Sequence, residues 1–178
     1  MKTVIISLSF VAVLIVGFFG YLIVSDLMES EKDVTTNTNS IDEIRESTGG
    51  SVTDEQLESY KDKGLNPFGQ IKTIDELTDA DYQEYIHGMS HQKVKADEKW
   101  GFYQINPERI NWLLEGLNIL ELHHKDVYSF ILEKWAKGDF SSVDDDHNTI
   151  WELQGGTIGK ATGVLTVEEE EAYIKTQQ

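Results

Sequence analysis

Residues 107–122 read PERINWLLEGLNILEL, and this stretch predicts an amphipathic α-helix. Its leucines and isoleucines recur at helical spacing, so their side chains would share one face. The stripe consists of Ile110, Leu113, Leu114, Leu117 and Leu120, and Trp112 and Ile119 widen it. Asn106 is a favourable N-cap, and proline suits the first helical position because no N–H donor is needed there. We therefore expect a fold built from helices.

Four further stretches carry the same kind of signal. A helix over 79–90 follows Thr78 as its N-cap and places aromatic and aliphatic residues on one face. Helices over 126–137 and 143–154 each end at glycine, and a helix over 167–175 begins after Thr166 with Glu169 completing a capping box. A short extended piece at 100–105 leaves room for at most one short hairpin. The predicted fold class is all-α: a single N-terminal transmembrane helix and a small four- to five-helix domain.

The transmembrane helix is predicted from an apolar run at 4–24, VIISLSFVAVLIVGFFGYLIV, which contains no ionisable side chain. A helix of this length spans the ~30 Å hydrocarbon core at ~1.5 Å per residue. The run is longer than the apolar part of a signal peptide and no Ala-x-Ala site follows, so an uncleaved anchor is favoured over a signal peptide or a core helix. Lys2 precedes the run and an acidic stretch follows it. The positive-inside rule therefore places the N-terminus in the cytoplasm and the remaining chain outside.

This organisation comprises a transmembrane anchor at 1–25, a flexible acidic tether at 26–66 and a small helical extracytoplasmic domain at 67–178. The tether has few large apolar groups, so burial cannot offset its conformational entropy. Within it, Thr53 as N-cap and Gly64 as terminator allow a weak helix near 54–63. All four tryptophans fall in the last segment, which indicates a well-formed core there.

The charge of the chain limits its partners. It has 32 acidic and 15 basic residues, a formal net charge of −17, and no cysteine. Nucleic acid is disfavoured as a partner because phosphate contacts need a basic surface. Cations and basic protein surfaces are favoured by Coulomb attraction, unless the charge serves only solubility. The absence of cysteine excludes disulfides, a lipoprotein anchor and cysteine nucleophiles.

Glu84, His87 and His91 form the best candidate metal site. The two histidines lie one turn apart on the first predicted helix, so both rings could reach one divalent ion, with Glu84 on the same side. Gly88 stands where metalloprotease helices carry a glutamate. Helical spacing puts this face opposite the apolar one, so the alternative is an exposed polar surface. Further ligands would come from Asp97, Glu98 or His147.

Two more candidate residues lie in the predicted helix over 143–154. His147 falls on its apolar stripe, which favours a core histidine with a hydrogen-bonded ring. Glu152 adjoins a tryptophan, and an apolar neighbour would raise the pKa of this carboxyl and suit it to acid catalysis on cell-wall sugars. The glycine-rich stretch at 155–163 lacks the spacing of a phosphate loop and reads as an exposed turn. Its candidate interaction residues are Gly155, Gly156, Gly159 and Lys160.

Three stretches carry a family resemblance: HGMSHQKVKADEKWGF from residue 87, NPERINWL from residue 106, and DHNTIWELQGGTIGKATGVLTVEEEEAYI from residue 146. Over roughly 80–175 the chain resembles a family of uncharacterised proteins of Bacillus-like Gram-positive bacteria. The resemblance implies an N-terminal membrane anchor and a small helical domain of unknown function. It implies no catalytic residues.

The leading functional hypothesis is a non-enzymatic interaction module, tethered to the cell membrane by one span and facing an envelope protein partner. Its binding surface would combine the glycine-rich loop with the polar face of the first helix. The alternative is an enzyme, either metal-dependent through His87 and His91 or directed at the cell wall through Glu152. A passive structural protein is a further alternative.

Overall fold

Six α-helices form most of residues 51–177, the part of the chain that the computed structural model describes. These residues belong to one compact unit, Glu46–Gln178. The helices are α1 (Asp54–Asp62), α2 (Asp79–Ser90), α3 (Pro107–Ile119), α4 (Lys125–Ala136), α5 (Val143–Leu153) and α6 (Val167–Lys175). A single 3₁₀ turn, Ile74–Glu76, precedes α2. Two short strands, β1 (Val94–Lys95) and β2 (Gly163–Val164), pair antiparallel with Val94 opposite Val164.

The prediction of an all-α fold is confirmed, and α2 and α6 have the predicted bounds. The weak helix expected near 54–63 is α1, which brings the helices of this region to six. The expectation of at most one short hairpin is consistent with this sheet, which is not a hairpin because β1 and β2 are distant in sequence, and residues 100–105 form no strand of it. The apolar run at 4–24 lies outside the described residues. Within 51–177, no helix has the length and apolar character needed to span a membrane.

The helix ends follow from local chemistry. The side chains of Thr53, Thr78 and Thr166 each accept a hydrogen bond from the backbone three residues on and complete a capping box. These bonds satisfy N–H groups that have no partner inside the helix. The predicted end of α3 at residue 122 is wrong, since α3 ends at Ile119. The chain turns there, and the backbone N–H groups of residues 123 and 124 each donate to Asp79 on α2 at 3.1 Å.

An aromatic cluster occupies the centre of the core. Phe68 stacks on Tyr85 with ring centroids 3.8 Å apart, and Tyr103 meets the Phe68 ring edge-on at 5.1 Å. Leu57 and Phe68 are both buried, at 3% and 0% exposed. Residues on either side of the predicted boundary at 66/67 therefore pack into the same domain, because burying their large side chains is favourable.

Two helix pairs position the candidate site. Helix α2 packs against α5, and α3 packs against α4. The last turn of α2 is buried on more than its apolar face, since Gly88, Met89 and Ser90 are all inaccessible to solvent. The polar side of α2 therefore faces α5 instead of solvent, and the histidines of the two helices meet.

Candidate metal centre

Three histidine side chains converge where α2 meets α5. His87 and His91 come from the last turn of α2, and His147 comes from the second turn of α5. One ligand nitrogen from each ring lies within 4.8 Å of the others. The Nε2 atoms of His87 and His147 are 2.9 Å apart. His147, weighed at the sequence level as a further ligand, is the residue that completes the group, and Glu84 lies outside it.

The cluster is largely withdrawn from solvent. His91 is 1% exposed and His147 is 0% exposed, while His87 is partly exposed. The alternative of an exposed polar surface does not hold for His91, because helix periodicity along α2 alone does not reveal the packing of α5 on that face. Burial of His147 was expected, and its two ring nitrogens face the side chains of His87 and Asn148.

The Nδ1 atoms of the two buried rings are both tied to oxygen. His91 Nδ1 lies 2.7 Å from the carbonyl oxygen of Gly101, which can only accept, so this nitrogen carries the proton. His147 Nδ1 lies 3.2 Å from Oδ1 of Asn148. The amide of Asn148 is held by Ala161, whose N–H donates to Oδ1 and whose carbonyl accepts from Nδ2. In their neutral forms both rings therefore have an unprotonated Nε2, and that of His147 faces His87.

His87 completes this pattern through Gln154. Its Nδ1 lies 2.5 Å from Oε1 of Gln154, the residue that caps the C-terminus of α5. With the proton on Nδ1, three Nε2 lone pairs face one another, an arrangement that a cation satisfies. With the proton on Nε2, His87 donates to His147 and Gln154 turns its amide group, which satisfies the site without a cation. Gln154 therefore accommodates both states of the ring.

Burial keeps these rings neutral. It lowers the pKa of His91 to about 3 and that of His147 to about 4, and it also lowers the pKa of His87. The nearby Lys99 ammonium lowers the pKa values of His91 and His147 further. Lys99 itself has a pKa lowered by burial to about 8, and its ammonium donates to the carbonyl of His91 at 2.9 Å. Neutral imidazole is the form that binds metal ions.

A pocket of about 230 Å³ opens beside the cluster. His87 and His91 line it, whereas His147 does not. The other lining residues are Glu84, Gly88, Glu98, Trp100, Gln154, Ile158 and Gly159. The two carboxylates and the two large apolar side chains come from α2, from the segment after β1 and from the loop after α5.

The predicted interaction loop is only partly at this pocket. Gly159 lines it, with φ +83°, and its position allows no side chain because a Cβ would lie 2.6 Å from the carbonyl oxygen of Glu98. Gly156 instead packs on Trp151, whose indole N–H donates to the carbonyl of residue 158 at 2.7 Å. Gly155 and Lys160 do not line the pocket. The loop is thus folded back on α5 and forms one pocket wall.

The four candidate carboxylates differ in their position relative to the pocket. Glu84 is half-buried at the pocket, and its Oε1 accepts a hydrogen bond from the Tyr103 hydroxyl at 3.0 Å. Glu98 is exposed at the same pocket, and Asp97 lies outside its lining. Glu152 is 64% exposed in its side chain and pairs with Lys160 at 3.4 Å. The expected desolvation of Glu152 is therefore wrong, and this residue has no place in the pocket.

The comparisons with known proteins identify a family without an assigned activity. A family described as "Family of unknown function (DUF6241)" matches residues 86–175, which is half of the 178-residue chain. The chain belongs to this family. The matched range contains all three histidines of the cluster. No curated protein and no solved structure matched the chain.

The residues that sequence reasoning missed are the oxygen partners of the rings. Gly101, Asn148 and Gln154 each hold one histidine, yet none carries a motif. A weak signal existed for Asn148, which directly follows His147, and for Gln154, which lies seven residues after it and so returns to the same face of α5. Nothing in the sequence marked Gly101, because its role depends on where the chain crosses α2.

Proposed function

We propose that this protein binds a divalent transition metal ion, best Zn²⁺, through His87, His91 and His147. The observation that supports the proposal most is the arrangement of the ring nitrogens. Each Nδ1 faces an oxygen, and each ring has a nitrogen within 4.8 Å of the other two, as in histidines that ligate metals while a second hydrogen bond orients the ring. This chain has no cysteine, so the ligand it offers at this cluster is imidazole, which suits zinc, copper, iron and nickel.

The dimensions of the cluster support this proposal. Tetrahedral zinc with Zn–N bonds of ~2.0–2.1 Å places its ligand nitrogens ~3.3 Å apart. The 2.9 Å separation of the His87 and His147 nitrogens and the 4.8 Å limit for the whole group bracket that value.

Metal titration of the purified full-length chain in mild detergent tests the proposal. After removal of bound metal by a chelating resin, calorimetry with Zn²⁺ should give one site per chain. The His147→Ala variant should lose this site. The matched control is His123→Ala, because the His123 side chain is 93% exposed and far in sequence from the cluster. Equal binding by all three proteins, or no binding by any, would refute the metal site.

The proposed location is the outer face of a membrane. Support comes from the apolar run at 4–24 and from the charge asymmetry on its two sides. Alkaline carbonate should leave the full-length chain in the membrane pellet. Protease added to spheroplasts should degrade the C-terminal domain, and protease added to intact inverted vesicles should not. Recovery of the full-length chain in the soluble fraction would contradict an anchor.

A second candidate function is a protein-interaction module at the same pocket. Trp100 and Ile158 on its rim are 72% and 57% exposed, and large apolar side chains at a rim favour a docking partner. Crosslinking on intact cells, followed by purification of the chain, should recover a reproducible envelope neighbour. Trp100→Ala should abolish its capture, whereas Phe130→Ala, an exposed aromatic change elsewhere, should not.

A further inference from the structure

The three histidines do not surround the cluster evenly. His147 lies behind it, fully buried and absent from the pocket lining, while His87 and His91 border the pocket. A metal ion held by the three Nε2 atoms would therefore have its remaining side toward the pocket. Zinc sites with three protein ligands and one open position are those that bind an exchangeable water, whereas structural zinc sites have four protein ligands.

Of the two carboxylates at this pocket, Glu84 is the half-buried one. It lies on α2 one turn before His87 and lines the same pocket. Its Oε1 accepts from Tyr103, whose hydroxyl also accepts from Nε2 of Gln70 at 3.4 Å. Oε1 of Gln70 in turn accepts from Tyr85 at 2.6 Å. This chain of hydrogen bonds connects the aromatic core to the Glu84 carboxylate and fixes its direction.

Gly88 makes this orientation possible. It stands between the two histidines of α2, and a Cβ there would lie 2.7 Å from Cδ2 of Tyr103. The Tyr103 ring therefore lies directly against the helix backbone, and the backbone N–H of Tyr103 donates to the carbonyl of Gly88 at 3.2 Å. A residue with a side chain would push the ring away and separate the Tyr103 hydroxyl from Glu84. At the position where metalloprotease helices carry a glutamate, α2 therefore has a glycine, which lets the Tyr103 ring pack against the helix.

The pocket walls restrict the substrate. Glu84 and Glu98 bring two carboxylates to the pocket walls, and the divalent ion proposed at the histidines would balance their charge. Trp100 and Ile158 offer apolar surface at the rim, and the pocket volume of about 230 Å³ admits only a small group. The chemistry of the walls therefore fits an uncharged carbonyl compound with a small apolar substituent.

We propose that this pocket is a metal-dependent hydrolytic site for uncharged esters or amides, a step that rests on the proposed metal function. A metal ion held by His87, His91 and His147 would make a water at its open side more acidic. Glu84 would accept a proton from that water while the water oxygen forms a bond to the carbonyl carbon. Glu84 would then give the proton to the leaving oxygen or nitrogen as the bond from the carbonyl carbon to that atom breaks. One water is consumed, and the products are a carboxylic acid and an alcohol or amine.

Hydrolysis of p-nitrophenyl acetate by the zinc-loaded full-length chain in detergent tests the inference. The zinc form should hydrolyse the ester faster than the metal-free form and faster than free Zn²⁺. Glu84→Gln should lower kcat by at least ~100-fold, since general base catalysis contributes ~10²–10⁴-fold. Its zinc affinity should change less than threefold. Glu152→Gln is the matched control, because this carboxylate is exposed outside the pocket, and it should keep the wild-type rate.

The cobalt-substituted chain reports the open position separately from activity. Added azide should change its visible absorption, because a ligand enters the coordination sphere. Unchanged absorption, or wild-type hydrolysis by Glu84→Gln, would overturn the hydrolytic inference. A chain that binds one zinc but gives no rate above background would also overturn it and leave the metal proposal standing. A chain that binds no zinc would overturn both.

Discussion

Asp146 and His147 are neighbours on α5, both buried, and they serve two very different polar clusters. Asp146 points toward α4, where it accepts from the Lys134 ammonium at 2.7 Å and from the Trp135 indole at 2.9 Å. Its charge is matched, and each oxygen has a donor. His147 points toward α2, where its Nε2 meets another ring nitrogen.

The difference between these clusters distinguishes a structural polar group from a candidate site. A buried charge with a matched partner holds elements together, and removing one partner leaves the other without compensation. In the histidine cluster no charge is matched: each Nδ1 lies against an oxygen, and the Nε2 atoms of His87 and His147 face each other. We therefore expect the Asp146 cluster to control stability and the histidine cluster to control ligand binding.

The largest expected effect is on the free energy of unfolding, and it distinguishes the Asp146 cluster from the histidine cluster. Asp146→Ala should lower the free energy of unfolding by about 3–5 kcal/mol, because it removes the carboxylate that matches the Lys134 charge and leaves the buried Trp135 N–H without its acceptor. Urea unfolding of the metal-free chain measures this loss. Asp145→Ala, an exposed change on the same helix, should cost less than about 0.5 kcal/mol. Equal costs for the two variants would show that the Asp146 cluster is not structural.

Metal removal is the second largest effect. With free Zn²⁺ at ~1,000 times its dissociation constant, the native state gains ~4 kcal/mol by mass action. Chelation by EDTA should therefore lower the Tm by roughly 8 °C or more in a thermal scan. His91→Ala should show no EDTA response, whereas Asp145→Ala should respond like the wild type. A wild-type Tm that EDTA leaves unchanged would contradict the expected linkage.

A smaller change should follow from loss of the hydrogen bond that orients His87. Gln154→Leu removes the oxygen facing Nδ1, and loss of such an outer partner weakens metal binding by ~10–100-fold. Gln154→Glu keeps an acceptor and should retain tight binding. Competition with a chromophoric chelator gives both affinities. Thr157→Leu, an exposed change in the same loop, serves as control. An equal loss of zinc affinity in that variant would show that the Gln154 oxygen does not orient His87.

The smallest effect concerns acid. His91 and His147 have lowered pKa values in the folded state, so below pH 6.5 the unfolded chain binds protons that the folded chain does not. The metal-free chain should therefore lose stability as pH falls below 6.5, by roughly 1 kcal/mol between pH 7 and pH 6, until it reaches the folded values. Urea unfolding at several pH values measures the slope. His147→Gln should flatten it, and an equal slope in that variant would refute this origin.

The fold was largely predictable because its helices have strong local signals. The caps at Thr78, Asn106 and Thr166 and the apolar periodicities predicted five helices and most of their ends. The errors came where distant contacts decide. Asp79 binds the turn after α3 and ends that helix early, and the pairing of β1 with β2 depends on segments far apart in sequence.

The candidate site was half predictable for the same physical reason. His87 and His91 lie one turn apart on a predictable helix, so their proximity follows from helix geometry. Glu152 appeared a candidate because it adjoins an aromatic residue, but neighbours along a helix point in different directions and its carboxylate is exposed.

The sequence by itself determined the helices, the charge of the chain and the spacing of the two histidines on α2. Only the tertiary structure decided that this face of α2 is buried, that His147 joins it from 60 residues away and that Tyr103 orients Glu84. Helix propensity and capping act within a few residues, whereas burial and ring orientation depend on which helix packs on which. That packing is a property of the whole core, so no single stretch of sequence encodes it.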